Sequence, residues 1–179
     1  MNRLIPINSL TDIPESYRDT PIGTLLEYHD LGRPIDVVAS PQLLIAMCMD
    51  NRKHLTIPDN FAFIIRSGGA NLRRSSFKVS YAISVGGVRH IAIIGHTNCG
   101  MVHLADRKEQ FIQGLINAAG WTHEHAEEHF DQFAPMFEIG NEIDFVLSEA
   151  IRIRAEYPTI VVAPMIYRVE DNRLYPVSE

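Results

Sequence analysis

The chain has 179 residues, 46% of them hydrophobic and 21% charged, which is ordinary for a folded domain and enough to bury one core. Its formal net charge is −6 and no basic block occurs, which argues against a nucleic-acid partner. No apolar run approaches the roughly 20 residues that span a bilayer, and the N-terminus carries no apolar segment of signal-peptide length, so the expected setting is cytoplasmic, with no membrane partner.

Residues 1–21 read as an arm, because Pro6, Pro14 and Pro21 break any long helix. IGTLLEYHDLG predicts a short helix before Gly32, and residues 1–35 are set apart from a single α/β domain over 36–179. LLIAM at 43–47 is a short apolar run that reads as a buried strand, with Cys48 at its exit. FAFIIR at 61–66 is a second strand, leading into Ser67-Gly68-Gly69-Ala70-Asn71. A helix is expected from there to Val85, with Asn71 as its N-cap and Gly86-Gly87 as its stop. HIAIIG at 90–95 is a third strand, delivering His96.

After Gly100, Phe111, Ile112, Leu115, Ile116 and Ala119 fall on one helical face. In the polar stretch THEHAEEHFDQ, His125 and His129 have a chelating i, i+4 spacing, but a solvated helix face is the expectation. The clearest helix runs from about Glu142 to Glu156, with Asn141 as N-cap and Pro158 closing it. TIVVAPMI at 159–166 reads as a strand, and YRVEDNRLYPV turns at Asp171-Asn172 into a terminal hairpin. Alternation of strands and helices predicts an α/β fold: a mostly parallel central sheet flanked by helices, with a C-terminal hairpin strand. In such sheets function gathers outside the carboxyl ends of the strands.

The chemistry lies at two of those ends. Cys48, His96 and Cys99 give zinc three protein ligands and leave a fourth position for water, the pattern of a catalytic metal site. A Cys48–Cys99 disulfide is the alternative; the histidine three residues before Cys99 favours metal. Asp50 and Arg52 follow Cys48 at two-residue steps, so a carboxylate and a guanidinium accompany the first ligand. Two thiolates largely cancel the metal's charge, so water there benefits from help. Asp50 can orient it, and Arg52 can hold Asp50 ionised. Gly68 and Gly100 are candidate substrate-binding positions, Gly68 for close backbone approach and Gly100 for an amide at a helix start. His54 and His103 stand near the motifs as candidates for proton transfer.

Together, Cys48-Met49-Asp50-Asn51-Arg52, Arg66-Ser67-Gly68-Gly69 and Gly95-His96-Thr97-Asn98-Cys99-Gly100-Met101 resemble the β-class carbonic anhydrases, and most closely their short, archaeal-type branch. The resemblance runs from about Val37 to Val177. It implies that Cys48, His96 and Cys99 carry Zn2+, that Asp50 and Arg52 form the catalytic dyad, and that hydroxide on the zinc hydrates carbon dioxide reversibly to bicarbonate. It also implies a homodimer or higher homo-oligomer, with the N-terminal arm packed on the partner. Ser67, Asn98, Ala163 and Asn172 depart from the branch's commoner residues; aspartate is frequent at position 98. Relatives with this metal set hydrolyse carbonyl sulfide or carbon disulfide, which is the alternative activity. A non-catalytic zinc-binding module is a third reading, and Asp50 and Arg52 argue against it, since metal binding needs neither. Asp50 is itself a good zinc ligand; the branch implies a resting form in which water, not Asp50, takes the fourth position.

Overall fold

The computed structural model describes residues 3–52 and 54–179. Among these, five strands form one sheet in the order β2-β1-β3-β4-β5: β1 (Leu43–Met47), β2 (Ala62–Arg66), β3 (His90–His96), β4 (Val161–Arg168) and β5 (Arg173–Pro176). The first four are parallel and β5 turns back antiparallel on β4, which bears out the expected mixed sheet with its terminal hairpin. The helices are α1 (Pro21–Leu31), α2 (Ser76–Ser84), α3 (Lys108–Ala119), α4 (His123–Phe137) and α5 (Glu142–Glu156). No helix of the described residues is long and apolar enough to cross a membrane.

The strands are apolar on both sides because both faces are covered. One face places Leu43, Ile45, Ala92, Ile94 and Met165 against Ile22, Leu25 and Leu26 of α1. The other places Leu44, Ala46, Ile91 and Ile93 against Val79 and Ala82 of α2 and Val146, Ala150 and Ile153 of α5. The alternation within β1 and β3 is the two-residue period of a strand feeding both layers.

The arm is part of this core. Ile7, Ile22 and Leu26 are fully buried against the chain's own sheet, and the Ile5 N–H bonds the Pro176 carbonyl at the end of β5. Each such side chain contributes about 1.5–3 kcal/mol by its burial. These residues of the arm thus belong to the chain's own core, while Leu10 of the same arm stays 43% exposed. α1 starts at Pro21 behind a Thr20 cap and ends where Gly32 turns left-handed, at φ 62°.

The helix expected after the second strand begins later than the sequence suggests. Asn71 does not cap it; its amide donates to the Met136 carbonyl at 2.6 Å and its oxygen accepts from the Arg73 N–H at 2.9 Å. The chain then turns through 72–75, held by the buried Glu149 carboxylate, which accepts from the Leu72 N–H, and α2 starts at Ser76. At the other predicted cap the expectation holds: Asn141 accepts from the Asp144 N–H at 2.8 Å. The hairpin turns with Asn172 left-handed, at φ 58°.

Candidate metal centre

Strands β1 and β3 are adjacent and parallel, with Ala46 opposite Ile93 and Met47 opposite Ile94. Cys48 therefore leaves β1 beside the point where β3 delivers His96, and the turn after His96 returns Cys99 to the same spot. The two sulfurs and a ring nitrogen of His96 all lie within 4.8 Å of one another, and all three residues are buried. Both cysteines are free thiols, which removes the disulfide alternative.

The site's chemistry fits a metal ion. His96 Nδ1 bonds the Thr97 carbonyl at 2.9 Å, so that nitrogen carries the proton and Nε2 keeps its lone pair. Nε2 is buried and has no hydrogen-bond partner among the described residues. A lone pair left bare beside two thiols is costly unless something electron-poor sits between them. The thiols behave as a pair: the proton of Cys99, shared toward Cys48, holds Cys48 well below the ordinary thiol range against burial. Cys99 is pushed up in turn by Cys48 and by burial. One proton leaves this pair readily and the second is held hard; a divalent cation can take its place.

Backbone and side chains around the ligands are arranged to match. The Gly69 N–H donates to Cys48 Sγ at 3.4 Å, and Arg66 Nη1 donates to the Cys48 carbonyl at 3.2 Å. The Cys99 N–H donates to Glu142 Oε1 at 3.1 Å, tying the third candidate donor to the first turn of α5. Asp50 is engaged by Arg52 through three side-chain bonds, from Nε to Oδ1 at 3.2 Å, from Nε to Oδ2 at 3.0 Å and from Nη2 to Oδ2 at 2.7 Å. Arg52 holds the Asp50 carboxyl far below the usual carboxylate range. The same oxygen, Oδ2, lies 3.9 Å from His96 Nε2, at the edge of the three ligands.

A cavity of about 280 Å³ adjoins these segments, walled by Met49, Gly68, Met101 and the rings of Phe130, Phe133 and Phe137. A Cβ at Gly68 would stand 3.0 Å from Met101 Sδ and 3.4 Å from the Phe137 ring, so a side chain there would crowd Met101. The other glycine is placed differently from the sequence reading. Gly100 lies in the turn closed by the Val102 N–H on the Cys99 carbonyl, and the first helical turn beyond it starts at Leu104, so its amide does not open a helix.

His54 and His103 are both exposed. His125 and His129 sit on α4 as expected, but against aromatic neighbours: Trp121 packs on both rings, at 4.2 and 5.2 Å between centroids. Among the described residues the one clustered set of metal-type donors is Cys48, His96 and Cys99. Sequence reasoning missed Gly69, Arg66 as an anchor, and Glu142. The Arg66-Ser67-Gly68-Gly69 segment did signal close backbone approach, whereas nothing local to Glu142 marks it as a partner of Cys99.

A family model described as carbonic anhydrase matches residues 43–174. No curated sequence matches the chain at a significant level. Among solved structures, a carbonic anhydrase from Glaciozyma antarctica is similar in fold at 20% identity, covering 93% of this chain and 100% of its own, with a TM-score of 0.64. A β-carbonic anhydrase from Trichomonas vaginalis is similar at 18% identity, covering 85% and 91%, with a TM-score of 0.66. A carbon disulfide hydrolase in its apo form also has the fold, at 21% identity, covering 83% and 82%, with a TM-score of 0.55. With β1–β4 and the start of β5 inside the matched span and a Cys-His-Cys group that could hold a metal at the ends of β1 and β3, the chain belongs to the β-carbonic anhydrase family.

Proposed function

We propose that the chain hydrates carbon dioxide reversibly to bicarbonate and a proton, using zinc held by Cys48, His96 and Cys99. The observation that carries this reading is the bare Nε2 of His96 between two thiols, 3.9 Å from a carboxylate already locked by Arg52. When bound, zinc supplies a Lewis-acid position at which water becomes a usable nucleophile. Asp50, kept ionised by Arg52, accepts a hydrogen bond from the attacking water and turns its lone pair toward the carbon. The cavity, apolar apart from His129, suits an uncharged linear substrate better than an anionic product, which favours release. Gly68 shapes that approach; Gly100, if it contacts substrate, does so from a turn.

The motifs support the short, archaeal-type branch and the resting form in which Asp50 stays with Arg52 rather than on the metal. A cytoplasmic setting fits two thiols that must stay reduced to ligate metal. A homo-oligomer is supported by an exposed apolar surface on edge strand β2 and helix α2, where Phe77 is 82% exposed beside Ile64 and Tyr81.

Hydrolysis of carbonyl sulfide or carbon disulfide is the second reading, favoured by the apolar walls of the cavity, which would accept sulfur as readily as oxygen. Stopped-flow carbon dioxide hydration, run beside sulfide release from both sulfur substrates, separates the two. The expected result is rapid hydration that Asp50→Asn lowers by roughly 10²-fold, the scale of a lost preorganised polar contact. Sulfide release without hydration would replace the first reading by the second.

A further inference from the structure

Arg52 makes one bond that the pair with Asp50 does not explain: its Nη2 also donates to the Asn98 carbonyl at 2.8 Å. Asn98 lies between the ligands His96 and Cys99 with a left-handed backbone, at φ 57°, a conformation that asparagine tolerates well. Its side-chain amide donates to Glu170 Oε1 at 2.9 Å, while Thr97 Oγ1 donates to Glu170 Oε2 at 2.8 Å. Thr97 Oγ1 in turn accepts from the Val169 N–H at 3.0 Å. Glu170, on the turn between β4 and β5, thus grips both residues that separate the two ligands. The Thr97 hydroxyl holds its carboxyl below the usual range, so the gripping group is ionised.

We propose that Glu170 and Asn98 are positioning residues that anchor the Arg52 guanidinium through the same Nη2 that binds Asp50, and so hold Asp50 away from the metal's open position. The chain of contacts runs Glu170, Asn98, Arg52, Asp50, each link between 2.7 and 2.9 Å. The residue type at 98 matters because Glu170 needs a donor there. An aspartate would set a second carboxylate against Glu170, so asparagine at 98 and glutamate at 170 form a matched pair. The proposal rests on the reading of Asp50 and Arg52 as the catalytic pair. All four side chains reach solvent, so each link is worth less than a buried one.

The test compares wild type, Glu170→Ala, Asn98→Asp and the double variant Asn98→Asp/Glu170→Gln. The readouts are carbon dioxide hydration and zinc content of loaded protein, together with solvent exchange of the Arg52 Nε–H in metal-free protein by nitrogen-15 NMR. Glu170→Ala and Asn98→Asp should each lower kcat/KM by roughly three- to tenfold with zinc retained, and should speed Arg52 exchange. In the double variant the new amide at 170 donates to the new carboxylate at 98, and both readouts should return toward wild type. Arg52 exchange unchanged in both single variants would overturn the proposal. Loss of zinc in step with activity would do the same, by reducing the pair to a support for the ligand loop. A wild type without hydration activity would sink the functional reading instead, and Arg52 exchange would still decide the anchor.

Discussion

Asp30 is a carboxylate with nowhere to put its charge. Its side chain is fully buried; Oδ1 accepts from the Leu174 N–H at 3.0 Å, while Oδ2 has no partner among the described residues. Burial pushes the carboxyl up to about 6, against the opposing pull of the Leu174 N–H and Arg173; Asp171 adds to the rise, and the neighbouring His29 is itself pushed down by burial. The unfolded chain returns Asp30 to its ordinary value near 4. Between those two values the folded state binds the extra proton, so the stability Asp30 supports is complete at acid pH and is lost as pH rises through about 6. Asp30→Asn keeps the acceptor for Leu174 and removes the titration. Relative to wild type, that variant should gain about 2–3 kcal/mol between pH 4 and pH 7, read from urea unfolding at each pH. A constant difference across that range would show that Asp30 is ionised throughout. Nothing near Asp30 in sequence announces this; its surroundings come from Leu174, 144 residues away. The candidate metal donors differ in this respect. Cys48, His96 and Cys99 are legible because few residue types bind zinc and two of them stand three apart, and Asp50–Arg52 is legible because its partners are two residues apart. Glu142, Glu170 and Gly69 reach the site across 43, 72 and 21 residues, distances at which spacing carries no information.

At the scale of elements, the metal centre depends on how closely α5 lies on β3. Gly95, immediately before His96, allows that approach: a Cβ there would stand 2.8 Å from Val146 Cγ1 and 3.0 Å from Ile166 Cδ1. Gly95→Ala must push the helix or the strand aside, and Glu142, at the start of the same helix, holds the Cys99 N–H. The variant should lose about 1–3 kcal/mol of stability, the range for overpacking a filled core, and should bind zinc more weakly. An unchanged urea midpoint would mean that the contact relaxes without cost. Strands β1 and β3 were readable as compact apolar runs ending in polar chemistry, and α5 as an amphipathic helix with both stops written beside it. The start of α2 was not, because Asn71 is an equally good cap and loop anchor, and the Met136 carbonyl that claims it belongs to α4.

At the scale of the whole molecule, sheet order decides whether two distant motifs meet. The sequence places a cysteine and a histidine at two strand exits, but not those strands side by side; the order β2-β1-β3-β4-β5 does so, with α1 covering one face and α2 and α5 the other. The sheet also takes up Ile7, Ile13, Ile22 and Leu26 from the N-terminal segment, contacts that no local pattern in that segment announces. The central claim is that this meeting point holds the metal on which activity depends. The most direct test is the zinc content of purified protein, measured with carbon dioxide hydration on the same samples, for wild type, Cys48→Ala and His96→Ala. Wild type should carry close to one zinc per chain, as a three-ligand site requires, and each variant should lose both the zinc and the activity. Full zinc occupancy in both variants would contradict the account.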